Sequence, residues 1–404
     1  EYGKALDLLL QEPGADGVLV VHAPASVNRS EECAKAVIER MKSRRMIMTC
    51  WVGETSVEQA RERFKDAHIP TYLAPGDAVE AFMRLAQHRR NQELLIETPP
   101  SIPEEFTPDP ETARRIIQIA LTAGRRRLNA YETSQVLNAY QIQTAPLHFA
   151  STPEAASDIA LELRDPVALK ILSPDIANKS EFGGVAFGLK NPLEVLMAAT
   201  GMLERVRELA PEAAIDGFAV QPMQSRHGAY ELMMGVRTGQ RFGPVIFFGQ
   251  GGTEAEVIDD VAYALPPLNM QLARDLMSRT RLYRQLRTNR GRPVDLDDIA
   301  LTLIKLSQMV VDLAEVIEMN INPIWVYSNH LVALDANILI ESDTMPAMQR
   351  LAISPYPKEL ERRYDLPDSR SFLMRPILPE DEPELQELVK RIPPEDVRMR
   401  FFQP

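Results

Sequence analysis

The sequence predicts a mixed α/β protein: a parallel, doubly wound sheet followed by a larger, two-lobed α+β region. Three observations carry this expectation. Over residues 1–95, short apolar runs alternate with amphipathic stretches through short loops, as repeated βα units require. Val18-Leu19-Val20-Val21 is apolar without alternation, as in strands buried on both faces of a parallel sheet. Late in the chain, the apolar runs of 317–340 follow one another with no helix between them, which favours antiparallel hairpins.

The elements follow in order. Ala5, Leu6, Leu9 and Leu10 mark one helical face. The strand at Val18–Val21 leads to a helix capped by Ser30 or Asn28 and running to about 41. A strand at 46–52, a helix at 56–67, a short strand at 71–73 and a helix at 76–90 complete a flavodoxin-like first unit, 1–95. The chain has no Gly-x-Gly-x-x-Gly, so a dinucleotide reading has no support. Pro99, Pro100, Pro103, Pro108 and Pro110 make 96–111 an extended, semi-rigid linker. The next unit spans 112–340. Its helices are expected at 112–123, 132–140, 153–163, 192–209, 270–287 and 295–314. Its strands are expected at 145–150, 166–172, 217–223, 230–237, 244–249, 317–321, 324–327 and 331–340. Pro346, Pro355, Pro357 and Pro367 suggest a second linker, 341–371. A strand at 372–375 and a helix at 380–391 then open a unit, 372–404, that is too short for a domain and is expected to be truncated.

Bulk properties narrow the partners. A net charge of −12 over 404 residues argues against nucleic acid or an anionic membrane. No apolar run approaches the ~18–20 residues of a membrane span. The chain opens on Glu1-Tyr2-Gly3 with neither a signal peptide nor an initiator Met, and reads as cut from something longer. Cys33 and Cys50 are its two cysteines. They form no disulfide framework, both read as structural, and a reducing cytoplasm is the expected location.

Candidate chemistry gathers around a lysine. Lys170 ends the run Val167-Ala168-Leu169-Lys170 inside an apolar strand, where a charge needs a partner. A Gly183-Gly184-Val185 turn follows, then Asn322-Pro323, and Asp335 thirteen residues after Asn322. Lysine neutralises phosphate as a point cation. Glycine lets backbone N–H groups approach phosphate oxygens. Mg²⁺ takes one or two protein oxygens plus phosphates and water. Together the parts suit a nucleoside triphosphate and its Mg²⁺, with Asn322 and Asp335 as metal ligands. The competing readings are a solvent-facing lysine and an ordinary Asn-Pro turn. The run 242–252 leads a buried strand into a glycine-rich loop, followed by Thr253, Glu254 and Glu256. That loop approaches a phosphorylated group or is a surface hairpin. Val220-Gln221-Pro222-Met223 ends a strand and is a candidate hinge that meets an adenine through its backbone. The six histidines, at 22, 68, 88, 148, 227 and 330, show no metal-ligand spacing. His227 reads as exposed, and no Ser/His/Asp arrangement has local support.

These motifs resemble a known family. Leu169-Lys170-Ile171-Leu172 with Gly183-Gly184-Val185 is similar to the ATP-grasp subdomain of NDP-forming acyl-CoA synthetases. The runs Glu231–Val236, Phe242–Ile246, Leu265–Leu268, Asn320–Pro323 and Leu334–Ala336 extend the likeness over about 112–340. Residues 1–95 resemble the ligase-CoA subdomain of that family. The resemblance implies a nucleotide site at Lys170, Gly183, Gly184, Val185, Gln221, Met223 and Glu231, with Mg²⁺ on Asn322 and Asp335. It also implies a phosphoryl-relay histidine where this chain has Asn178. An amide nitrogen is not nucleophilic, so no catalytic residue is assigned within the chain. The tail from Arg375-Pro376-Ile377-Leu378 to Phe401-Phe402 resembles the opening of a GNAT domain. The combination resembles the Pat-type bacterial protein lysine acetyltransferases. That implies a regulatory, synthetase-like region of an acetyltransferase that uses acetyl-CoA. It would act on lysines of metabolic enzymes such as acetyl-CoA synthetase, bind ATP or ADP with Mg²⁺, and form a homo-oligomer. The alternative is an active ADP-forming acetate–CoA ligase using Mg–ATP.

Overall fold

The computed structural model describes residues 2–24, 29–41, 45–101, 105–173, 175–176, 182–223, 229–288, 294–327, 330–342, 346–366 and 370–401. Two compact units emerge, residues 1–96 and 97–404. Among the described residues no helix is long and apolar enough to cross a membrane.

The first unit contains α1 (Tyr2–Leu9), β1 (Gly17–His22), α2 (Ser30–Ile38), β2 (Met46–Trp51), α3 (Glu58–Asp66), β3 (Thr71–Tyr72) and α4 (Pro75–Ile96). Its strands are parallel, in the order β1-β2-β3. They add in one direction, so no reversal of strand order occurs among them. Leu6, Val37, Trp51, Val57 and Phe64 form the core. Ser30 does not cap α2: it is the first helical residue, and its hydroxyl meets His22 Nε2 at 3.0 Å. Asn28 lies outside the described residues.

The second unit is an α/β assembly with two cores. It opens on α5 (Pro110–Thr122) and α6 (Ala130–Ala139). Asp109 caps α5 by accepting from Thr112 N–H. Asn129 and Glu132 form a reciprocal capping box that fixes the start of α6. Then come β4 (His148–Ala150), α7 (Pro153–Leu163), β5 (Val167–Leu172), β6 (Val185–Leu189), α8 (Pro192–Leu209) and β7 (Gly217–Pro222). These strands form an antiparallel sheet, β4-β7-β5-β6, packed on α7 and α8. β6 was not anticipated. It is five residues long and follows a turn, so its periodicity is weak.

The larger core surrounds a six-stranded sheet. Its parts are β8 (Tyr230–Gly239), β9 (Gly243–Gln250), α9 (Ala255–Ile258), β10 (Val261–Ala264), α10 (Met270–Ser278), α11 (Arg281–Thr288), α12 (Leu296–Asp312), β11 (Val316–Tyr327), β12 (His330–Ala333) and β13 (Ala336–Ile340). The order is β10-β9-β8-β11-β12, with β13 also on β11. Twelve of the seventeen residues of α12 are buried, so this helix is the central pillar of the core. The helix expected over 270–287 breaks at Thr280. The Thr280 hydroxyl donates to Met277 C=O, while Asp260 accepts the N–H groups of Arg281 and Leu282 and so starts a new helix. The two strands expected at 317–321 and 324–327 are one strand, β11. Pro323 donates nothing to the ladder, and the register shifts between Ile321 and Ile324 instead of ending there. Conversely, the single strand expected at 331–340 is β12 and β13, split around Leu334-Asp335.

The linkers and the tail differ from expectation. Segment 99–101 pairs with Tyr356, and Gln308 of α12 donates to Ser101 C=O, so parts of both proline-rich stretches are docked within this unit. β14 (Arg362–Asp365) lies inside the stretch read as a linker and pairs with β15 (Ser371–Met374). α13 (Glu382–Arg391) and α14 (Pro394–Phe401) follow. The residues of both strands are exposed and α13 buries none of its own. Among the described residues the tail is thus a hairpin and two helices with little burial, and the start of a GNAT fold expected there is not shown.

Candidate functional site

The split between β12 and β13 builds the site. Asn322 N–H donates to Asp335 C=O at 3.1 Å, and Leu334 N–H donates to Pro323 C=O at 3.0 Å. The bulge in β11 and the corner after β12 are thus stitched together, which brings Asn322 and Asp335 side by side. From the other sheet, Lys170 is the one residue of β5 that is not buried. Its Nζ lies 3.6 Å from Asp335 Oδ1, with 15% of the lysine and 44% of the aspartate side chain exposed. Two residues read separately from the sequence, one for phosphate and one for metal, form an ion pair between the two sheets.

This pair lies in a small open cleft whose lining includes Lys170, Gln221, Asp335, Thr133, Leu137 and Leu172. Gln221 is buried on β7, next to Ala168 of β5. Val185 sits opposite Lys170 in the β5–β6 ladder, and Gly184 C=O accepts from Ile171 N–H at 2.8 Å. Gly183 adopts φ +64°, a conformation that favours glycine, and the Arg205 guanidinium packs over it. Met223 is half-exposed outside the cleft lining, with its N–H donated to Pro166 C=O at 2.7 Å. Asn178 and His227 lie outside the described residues.

Glu231 and Asn322 lie outside the cleft lining and are linked through the glycine-rich loop. Gly251 N–H donates to Glu231 C=O, and Gly252 N–H donates to Asn322 Oδ1 at 2.8 Å. Trp325 Nε1–H donates to Glu231 Oε1 at 3.3 Å. Gly252 has φ +91°, and a β-carbon there would come within 2.0 Å of Glu231 Oε2. The loop is therefore held close to the acid rather than hanging free as a surface hairpin.

The donor set suits Mg²⁺. Asp335 offers a carboxylate, and Asn322 offers an amide oxygen that keeps a second lone pair beside its bond to Gly252. Among the described residues no group of three or more His, Cys, Asp or Glu could hold a metal. An ion that takes few protein oxygens and completes its shell with phosphate and water is the one that fits.

The wall from α6 was not read from the sequence. Ala130, Thr133, Ser134 and Leu137 face the cleft at i, i+3, i+4 and i+7. The available signal was a Thr-Ser pair interrupting an apolar helical stripe, which alone does not distinguish a cleft wall from a half-buried face.

Known proteins extend this picture. The ATP-grasp domain family matches residues 119–340. The ADP-forming acetate–CoA ligase I of Archaeoglobus fulgidus is 31% identical over 343 residues, covering 84% of this chain and 48% of that protein. The chain thus spans about half the length of this relative. Subunit beta of the ADP-forming acetate–CoA ligase II of Pyrococcus furiosus is 34% identical over 233 residues, covering 57% of this chain and 98% of that subunit. A solved structure is also similar: dinucleotide-forming acetyl-coenzyme A synthetase 1 of Ca. Korarchaeum cryptofilum, in complex with coenzyme A and Ca-AMPCP. It is 32% identical with a TM-score of 0.53, covering 57% of this chain and all of that one. These relatives overturn the Pat-type expectation. They are ligases rather than protein lysine acetyltransferases, and they support neither the GNAT reading of the tail nor protein lysines as substrates. The family match and the relatives agree: the chain belongs to the ATP-grasp family of ADP-forming acyl-CoA ligases.

Proposed function

We propose that this chain is the nucleotide-binding part of an ADP-forming acyl-CoA ligase. The reaction is acyl-CoA, ADP and phosphate going to carboxylate, CoA and ATP, and its reverse. Acetate is the acid named by the two relatives described above. The observation that carries this reading is the 3.6 Å approach of Lys170 Nζ to Asp335 Oδ1 at the cleft. A cation and a carboxylate there suit a phosphate and its metal.

Lys170 would exchange Asp335 for phosphate oxygens, giving up one charged partner for another. Asp335, released, and the free lone pair of Asn322 would hold Mg²⁺, which neutralises phosphate charge when bound. The Gly252 loop keeps Asn322 aimed, and Gln221 borders the nucleotide. Met223 N–H is taken by Pro166, so its carbonyl is the group left to meet a base. Asn178 stands where the resemblance places the relay histidine. The phosphoryl group would therefore travel on a histidine elsewhere in the protein, and CoA and further subunits belong to the same proposal.

The test is calorimetric titration with ATP and ADP, with and without Mg²⁺, beside K170A and D335A. Charge-assisted contacts are worth ~1.5–3 kcal/mol, so each variant should lose about 10- to 100-fold in Mg²⁺-dependent affinity. Acetate- and CoA-dependent ADP formation from ATP is expected only when the part of the protein that carries the relay histidine is also present. A well-folded protein that binds neither nucleotide would overturn the proposal.

A further inference from the structure

We infer that Thr133 contacts the bound nucleotide, its hydroxyl hydrogen-bonding a polar atom on the base or ribose. This inference rests on the nucleotide reading of the cleft and adds a specificity residue to it.

The capping box at Asn129 and Glu132 fixes the register of α6, and the bidentate Arg125–Glu132 pair anchors its first turn. The helix thereby presents Ala130, Thr133, Ser134 and Leu137 to the cleft. Two of these carry hydroxyls. Ser134 Oγ donates to Tyr131 C=O at 2.9 Å. Thr133 Oγ1 is buried with no hydrogen-bond partner among the described residues, and the residue as a whole is 2% exposed. Its own N–H is already donated to Asn129 C=O at 2.8 Å, so the backbone is satisfied and the side chain is not.

A buried hydroxyl without a partner is destabilising, and each one in a folded protein calls for an explanation. Threonine is also a middling helix former because its branched side chain loses χ1 freedom. Helix propensity does not favour it over alanine here. A ligand that enters the cleft and pairs with the hydroxyl explains both. The partner is the nucleoside rather than the phosphates. The phosphates belong with Lys170 and the cation at Asp335, whereas Thr133 lies on a wall whose other members include Ala130 and Leu137. An apolar wall with one convergent polar atom is how a site packs a base and reads its edge.

The experiment compares wild type, T133V and T133S. Each is titrated with Mg–ATP, Mg–ADP and Mg–tripolyphosphate, and each unliganded protein is melted. We expect T133V to bind both nucleotides about 10-fold more weakly, as for the loss of one hydrogen bond. It should bind tripolyphosphate like wild type and melt no lower. T133S should bind within a few-fold of wild type. If T133V does not fold, T133A takes its place. T133V binding ATP as tightly as wild type would overturn the inference, whether its melting temperature falls, as for a hydroxyl held by structural water, or not. So would an equal loss for ATP and tripolyphosphate, which marks a distorted cleft. A wild type that binds no nucleotide refutes the reading of the cleft itself, and that result is separate from these.

Discussion

Lys170 and Asp335 hold each other across the cleft, and the strength of that hold decides how nucleotide enters. Nearly half of the Asp335 side chain is exposed, and pairs open to solvent are worth only ~0–1 kcal/mol. A triphosphate with several charged oxygens easily displaces such a partner. The freed carboxylate then repels the phosphates unless a cation covers it. Metal and nucleotide are thus coupled through one ion pair. D335N should bind ATP in EDTA at least as tightly as wild type, while losing most of the enhancement that Mg²⁺ gives. Weaker binding of metal-free ATP by D335N than by wild type would show that the carboxylate does not oppose the phosphates. A second residue carries a pH effect. His22 is 1% exposed, bonded to Tyr2 and Ser30 and stacked on Trp51. Burial lowers its pKa below the usual histidine value. The unfolded state therefore binds its proton first as the pH falls. The stability of the first unit should be fully present above about pH 6.5 and decline below it, by up to ~1.4 kcal/mol per pH unit. Chemical denaturation of H22Q against wild type at pH 7.5 and 5.5 measures this. An unchanged pH dependence in H22Q would assign the loss to other groups.

At the scale of elements, the loop after β9 is the part of the site most sensitive to shape. Gly252 combines φ +91° with a close approach to the Glu231 carboxylate and a bond to Asn322. G252A strains that backbone and must push the Glu231 carboxylate aside. It should cost ~1–3 kcal/mol in denaturant unfolding and weaken Mg–ATP more than that loss of stability explains. G124A is the control: Gly124 also has positive φ, at +73°, but a β-carbon there meets nothing within 4 Å. It should lose stability and keep nucleotide affinity. Equal effects of the two variants on binding would remove the loop from the site. The same elements show what a sequence can reveal. Lys170, Asn322 and Asp335 were legible because charge and amide groups next to apolar strands need partners, and the glycine runs marked turns. That Lys170 and Asp335 meet was not legible, since it depends on how two sheets face each other. β11 read as two strands because proline looks like a terminator, while the bulge that absorbs it is a property of the pairing. Of the β14–β15 hairpin, β15 was expected at 372–375, while β14 was hidden among prolines and charges, because an exposed strand carries no alternation to read.

For the whole molecule, the two units have separate cores, one around Trp51 and Phe64 and the others around α12 and the β4–β7–β5–β6 sheet. A ligand stabilises only the cooperative unit that holds its site, by RT ln(1 + [L]/Kd). Lys170, Asn322, Asp335 and Thr133 all belong to residues 97–404. Mg–ATP at 100 times its Kd should therefore stabilise that unit by ~2.7 kcal/mol. For a unit of this size such a gain shifts the midpoint by roughly 4 °C. The unit of residues 1–96 should not respond to nucleotide but should respond to pH through His22. Scanning calorimetry of the intact chain at pH 7.5 and 5.5, with and without Mg–ATP, separates the two: one transition moves with nucleotide, the other with acid. H22Q identifies the acid-sensitive transition independently. If that transition also rises with Mg–ATP, the first unit contributes binding energy to the nucleotide site, and a cleft built from the second unit alone is an incomplete description of it.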